Sequence, residues 1–178
     1  ADIANVGLLG NQIVYFDNTV VVPEPYRALN DPRVPFEDTG GASQDPALEF
    51  FLQLKYPAFD SPIRVASGLE ARYITAEAEL AQGQSATALA LIAERRDVGG
   101  QPAFAGSTAP EILAELMDQR ARDFWLEAKH LGDLQRNPDA TPYIPVPGVP
   151  FYKPAYGDFG SATCVPLPLS ETLNNPNF

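Results

Sequence analysis

Cysteine and histidine occur once each, as Cys164 and His130, in a chain of 178 residues. A lone cysteine excludes an internal disulfide and a cysteine-based zinc cluster, and a lone histidine excludes multi-histidine metal sites. Metal chemistry would have to rest on carboxylates alone. Positive charge is scarce, with 12 Lys and Arg against 23 Asp and Glu and a formal net charge of -11. The counterion-release term that draws proteins onto nucleic acid is repulsive at that balance, so no nucleic-acid partner is expected. No apolar run approaches the ~18 residues of a membrane-spanning helix; the runs are short, of the kind Ile13-Val14-Tyr15-Phe16. A phosphate-binding glycine loop, a dinucleotide fingerprint and a nucleophile elbow are all lacking. His130 has no Ser-His-Asp spacing beside it and reads as a surface or hydrogen-bonded histidine, and Cys164, without basic neighbours, reads as a buried inert thiol. Neither catalysis, nor a cofactor, nor a metal is expected. The first residues, Ala1-Asp2-Ile3-Ala4-Asn5, show no basic n-region, no apolar h-region and no cysteine to acylate. Any signal is therefore expected to have been removed, or the chain to be a piece of something longer.

Proline, by contrast, is abundant and uneven: seven lie in residues 1–66, two in 67–136 and nine in 137–178. Helices can run only in the middle. Over Ser67–Gln82, Leu69, Tyr73, Ala76 and Leu80 recur at helical spacing; Ser67 and Glu70 suit a capping box, and Gly83 a C-cap. Ser85 can cap a second helix through Arg96, with Ala88, Leu89, Leu91 and Ile92 apolar and Gly99-Gly100 beyond it. So short a connection makes these two antiparallel, and the hairpin has the look of a tetratricopeptide-type unit. Thr108-Ala109-Pro110-Glu111 reads as a second capping box, opening a third helix that is expected to continue to about Gln135. Its buried stripe is Leu113, Leu116/Met117, Phe124, Ala128 and Leu131, with Glu115, Asp118, Arg122 and Lys129 off that stripe.

The flanks read differently. Residues 1–66 offer a β-hairpin over 12–22 around the Asn18 turn, then proline-punctuated loops. Residues 137–178 are coil, but Tyr143, Phe151, Tyr152, Tyr156 and Phe159 are too many aromatics for a disordered linker, so this tail is expected to wrap the helices. The fold class is thus mostly α: one domain over 1–178, with a loop and short-strand flank (1–66), a helical core (67–136) and a wrapping tail (137–178).

The segment Gln119-Arg120-Ala121-Arg122-Asp123-Phe124-Trp125-Leu126-Glu127-Ala128-Lys129-His130-Leu131-Gly132-Asp133-Leu134-Gln135-Arg136 resembles the C-terminal signature of SusD/RagB-like nutrient-uptake proteins, Glu-Arg-x-Arg-Glu-Leu-x-x-Glu-Gly-x-Arg-x-x-Asp-Leu-x-Arg. In register with it stand Asp31-Pro32-Arg33, Lys55-Tyr56, Glu70-Ala71-Arg72 leading into Ala76-Glu77-Ala78, and Val165-Pro166-Leu167-Pro168 with Glu171 and Asn174-Asn175-Pro176. The likeness covers about Asp31 to Phe178 and looks like the C-terminal portion of longer family members. Gln119 replaces the leading glutamate, Ala128 the glycine, and Lys129-His130 the following arginine. A helix through these positions is expected to survive, since alanine is a better helix former than glycine by about 1 kcal/mol.

The resemblance implies a tetratricopeptide-like scaffold acting as a non-catalytic, glycan- or nutrient-binding component of an outer-membrane uptake system. Its partner would be a TonB-dependent transporter, on the periplasmic side or at the outer membrane of a two-membrane bacterium. The alternative is a structural accessory subunit that docks on a larger membrane assembly. Candidate ligand- or partner-binding residues are the loop aromatics Tyr143, Phe151, Tyr152, Tyr156 and Phe159, with packing on the helices as their competing role. Arg120, Arg122, Trp125, Glu127, Asp133 and Arg136 are the structural signature. Trp125 reads as core rather than a sugar platform. Glu127 and Asp133, six apart, would diverge on one helix, so the carboxylates and arginines read as scaffold ion pairs rather than an acid–base site.

Overall fold

The computed structural model describes residues 11–15 and 17–162. Cys164 and the Val165–Pro176 landmark lie outside the described residues. Helix is the dominant regular structure, with one two-stranded sheet. The described residues fall into two compact units, one up to Tyr143 and one from Ile144 onward, where the sequence reading has a single domain.

In the first unit the β-hairpin expected over 12–22 does not form. The Asn11 side-chain oxygen accepts the Ile13 N–H at 3.0 Å, a local bond that competes with an extended backbone. One turn of helix, α1 (Gln12–Tyr15), and a 3-10 turn (Asp17–Thr19) follow. Val21 and Val22 are extended, yet their partners are Leu52 and Phe51. After α2 (Glu24–Arg27) comes a sheet in a stretch that reads as loop: β1 (Phe36–Ala42) pairs antiparallel with β2 (Glu49–Gln53), Phe36 opposite Gln53 and Glu37 opposite Leu52.

The helices are α3 (Gly68–Ala81), α4 (Ala86–Val98), α5 (Ala109–Asp123) and α6 (His130–Arg136). Their ends follow local chemistry. Ser67 accepts the Glu70 N–H at 3.1 Å, but only half of that capping box forms, because the Glu70 carboxylate is drawn to Lys129 (3.1 Å) and Arg120 (3.6 Å). Thr108 and Glu111 complete both arms of theirs. Ser85 makes no side-chain cap. At the end of α3, Gly83 (φ +80) and Gln84 return their N–H groups to Leu80 and Glu79. This closes a Schellman motif that needs a left-handed residue. Gly100 and Gln101 do the same for α4.

The third helix is not continuous to Gln135. It stops at Asp123, turns through Phe124–Lys129 with Leu126 at φ +61 and Ala128 at φ +57, and restarts as α6. The reason is tertiary. Phe124 and Trp125 are both buried, but in different cores: Phe124 packs with Tyr73, Leu80, Leu91, Ile92, Leu116 and Met117, whereas Trp125 packs with Val22, Tyr26 and Val34. A straight helix cannot send consecutive large side chains to two such places. The stripe expected beyond Phe124 accordingly ends there, with Ala128 exposed and Leu131 51% exposed. Among the described residues no helix is long and apolar enough to cross a membrane.

Candidate ligand site

The signature residues are positioned by α5, the turn after it and α6, and they are bound to segments far away in sequence. Arg122 donates from Nη1 to Asp31 at 3.1 Å and from Nε to Asp118 at 2.7 Å. Asp123 receives Arg33 at 3.1 Å, Arg95 at 2.9 and 2.7 Å, and the Tyr73 hydroxyl at 2.6 Å. Glu127 receives Lys55 at 2.7 Å and Arg64 at 2.6 and 3.0 Å, while the Lys55 ammonium also donates to the Trp125 carbonyl at 2.5 Å. Asp133 receives Arg120 Nε at 2.8 and 2.9 Å and Arg136 at 2.7 Å. Glu127 and Asp133 thus serve different clusters, being on different elements rather than on opposite faces of one helix.

Burial sets the electrostatics. It pushes the Asp31 carboxyl up, but hydrogen bonds and charge from Arg33, with Arg122 added, outweigh it and hold Asp31 below the usual carboxylate range. Glu127 is held low in the same way, with Arg64 and Lys55 overcoming burial. Burial pulls the Lys55 ammonium down, an effect that pairing with Glu127 offsets only in part. The Tyr26 hydroxyl is pushed up to about 12 by burial, with the Asp118 and Asp133 carboxylates adding to it. Each of Asp31, Asp118, Asp123, Glu127 and Asp133 is held by two or more donors within the protein. Such a network fixes geometry; a ligand would have to displace partners already present.

Tyr143 belongs here and not with the other aromatics. Its ring lies 4.8 Å from that of Tyr26, and its hydroxyl donates to Asp118 and accepts from Arg122 at 3.2 Å. Burial, then the bond to Asp118, raises its hydroxyl above the ordinary tyrosine value. Trp125 is 5% exposed and offers no face for stacking.

The other four aromatics come together in the second unit. Val146-Pro147-Gly148-Val149 is a tight turn, the Val149 N–H reaching the Val146 carbonyl at 3.1 Å with Gly148 at φ +83, as a type II turn requires. The chain then folds back on itself. Phe151 N–H bonds Gly157 O at 3.1 Å, Phe159 N–H bonds Val149 O at 2.9 Å, and Pro150 bridges Asp158. A 3-10 turn (Pro154–Tyr156) and Gly157 at φ +75 make the reversal. This ribbon gathers the rings around Phe151: Tyr152 at 4.4 Å, Phe159 at 5.3 Å and Tyr156 at 6.1 Å, the last two edge-on. With Lys153 and Asp158 they line an open cleft of about 520 Å³. Tyr156 is 75% exposed and Tyr152 47%. Ring faces, phenol hydroxyls and a carboxylate side by side can stack on one face of a ligand and hydrogen-bond its rim.

Sequence reasoning missed Tyr73, Arg64 and Arg95 as members of the buried network. Arg95 sits on a helix with no motif, and nothing local marks it. Lys153 and Asp158 were within reach, since they punctuate the aromatic run itself. Among the described residues no group of three or more His, Cys, Asp or Glu is arranged to hold a metal ion. Compared with family models, curated proteins and solved structures, the chain has no match.

Proposed function

We propose that this chain is a non-catalytic, glycan- or nutrient-binding component of an outer-membrane uptake system of the SusD/RagB kind, working beside a TonB-dependent transporter. On this reading the α3–α4 hairpin is a tetratricopeptide-like unit of the scaffold, and the periplasmic side or the outer membrane is its location. The observation that carries the binding role is the cleft around Phe151, which presents exposed tyrosine faces on a ribbon fixed by its own backbone hydrogen bonds. Pyranose rings stack on such faces, and loops held by a scaffold are where binding residues concentrate.

A second observation supports the family likeness. Asp31, Arg33, Lys55 and Glu70 come from the landmark segments that accompany the signature, and each pairs with a residue of 119–136: Asp31 with Arg122, Arg33 with Asp123, Lys55 with Glu127, Glu70 with Arg120 and Lys129.

Calorimetric titration with mixed oligosaccharides tests the reading, followed by pull-down from a native membrane. Sugar heat that disappears in Tyr152→Ala and Tyr156→Ala, with the fold retained by circular dichroism, is the expected result. A stable partner complex without any sugar heat would replace this function by that of a structural accessory subunit.

A further inference from the structure

The cleft also carries information about which sugars it takes, an inference that rests on the binding role just proposed. Its charged groups are Lys153 and Asp158, and they are placed differently. The Lys153 ammonium stands 5.6 Å from the centre of the Tyr152 ring, within range of a cation–π contact. The Asp158 carboxylate is exposed, and among the described residues it accepts no hydrogen bond and makes no ion pair. That sets it apart from the carboxylates of the first unit, where arginines and lysines already hold Asp31, Asp123, Glu127 and Asp133. Its backbone is not loose: residue 158 bridges Pro150, between the Gly157–Phe151 and Phe159–Val149 hydrogen bonds. The same ribbon that gathers the rings therefore fixes where the carboxylate starts from.

We propose that Asp158 makes the cleft selective for neutral sugars bearing adjacent free hydroxyls, and that it disfavours uronic and sulfated sugars. An ionised carboxylate is an acceptor only, with two oxygens side by side, and two neighbouring hydroxyls can donate to it as a pair. A sugar ring lying on Tyr156 presents its rim hydroxyls to such an acceptor, while its apolar face covers the aromatic ring. A sugar carboxylate or sulfate brought to Asp158 meets a like charge, an element of rejection that the Lys153 ammonium over the Tyr152 ring offsets only for groups reaching that ring. Asp158 is a specificity-determining residue here, and the stacking area stays with the tyrosines.

The test uses the full chain and two probes matched in length, a neutral hexose oligosaccharide and its uronic-acid counterpart, titrated at physiological and at low salt. The neutral sugar is expected to bind about tenfold tighter or more, as hydrogen bonds to a charged group allow. Asp158→Ala should remove most of that advantage, and Asp158→Asn should narrow it by admitting the uronate. A neutral sugar lacking one of two adjacent hydroxyls should bind the wild type weakly, yet lose nothing further in Asp158→Ala. Circular dichroism checks that these exposed-site variants keep the fold. Equal or tighter binding of the uronate, or an Asp158→Ala variant with unchanged neutral affinity, overturns the selectivity and leaves the binding role standing. No heat with either sugar overturns the binding role itself and the selectivity with it.

Discussion

Ala128 occupies a left-handed backbone position, φ +57, where the resembled signature has glycine. On a continuous helix alanine would be the better residue; in a turn at this φ its Cβ is strained. The left-handed cost for a non-glycine residue, less the entropy that glycine adds to the unfolded chain, predicts that Ala128→Gly stabilises by about 1 kcal/mol in denaturant melts. A loss of stability would mean that the turn is not the one described. Asp123 is the opposite kind of residue. Its side chain is 2% exposed and holds Arg33, Arg95 and Tyr73 together; in Asp123→Ala, Arg33 keeps Asp31 and Arg95 keeps only Glu94 at 3.6 Å, so the loss of this shared buried carboxylate should cost about 3 kcal/mol. Nothing in the spacing of α5 marks this residue, because its partners are Arg33 and residues of two neighbouring helices, Tyr73 on α3 and Arg95 on α4. Residue types announce a charge; only the fold says which charges meet.

At the scale of elements, what was legible was what is local. Ser67 and Gly83 set the two ends of α3, Gly99-Gly100 the end of α4 and Thr108-Glu111 the start of α5 through bonds within a few residues, and those ends stand nearly where the pattern puts them. The break after Asp123 was not legible, since Phe124 and Trp125 go to separate cores that exist only in three dimensions. The β1–β2 pair was hidden for a related reason: Phe36–Ala42 is almost wholly exposed, contains two glycines and shows no apolar alternation. The aromatic cleft was half legible, with its rings identified as a group but Tyr143 drawn away by Asp118, Arg122 and Tyr26. Phe124 tests the packing of α5 on the α3–α4 pair. It is 4% exposed and meets the Tyr73 ring edge-on at 5.6 Å, so Phe124→Ala should destabilise by roughly 3–5 kcal/mol. A change below about 1 kcal/mol would mean that this face carries little of the core.

For the whole molecule the buried charges dictate a direction with pH. Burial holds His130 below its ordinary 6.5, the nearby Asp133 carboxylate opposing only in part. The unfolded chain therefore binds this proton first, and stability begins to fall as pH drops through about 6.5. Asp31 and Glu127 are held below the usual carboxylate range, so their contribution is intact above about pH 4 and is lost below it. Both trends run the same way. The thermal midpoint should be highest near and above neutrality, ease downward below about 6.5, and fall steeply in acid below about 4. His130→Gln should remove the upper step and leave the lower one, and a midpoint that rises on acidification would contradict the pairing of Asp31 and Glu127.

The central claim is that exposed tyrosine faces in the second unit bind sugar, and saturation-transfer NMR reads that contact directly. Irradiating the protein in the presence of a mixture of neutral oligosaccharides should transfer magnetisation to the ring C–H protons of one sugar face, the face that stacks. That transfer should vanish in Tyr156→Ala while the variant keeps its helical circular dichroism. No transfer to any sugar, or transfer of the same strength in Tyr156→Ala, would contradict the account.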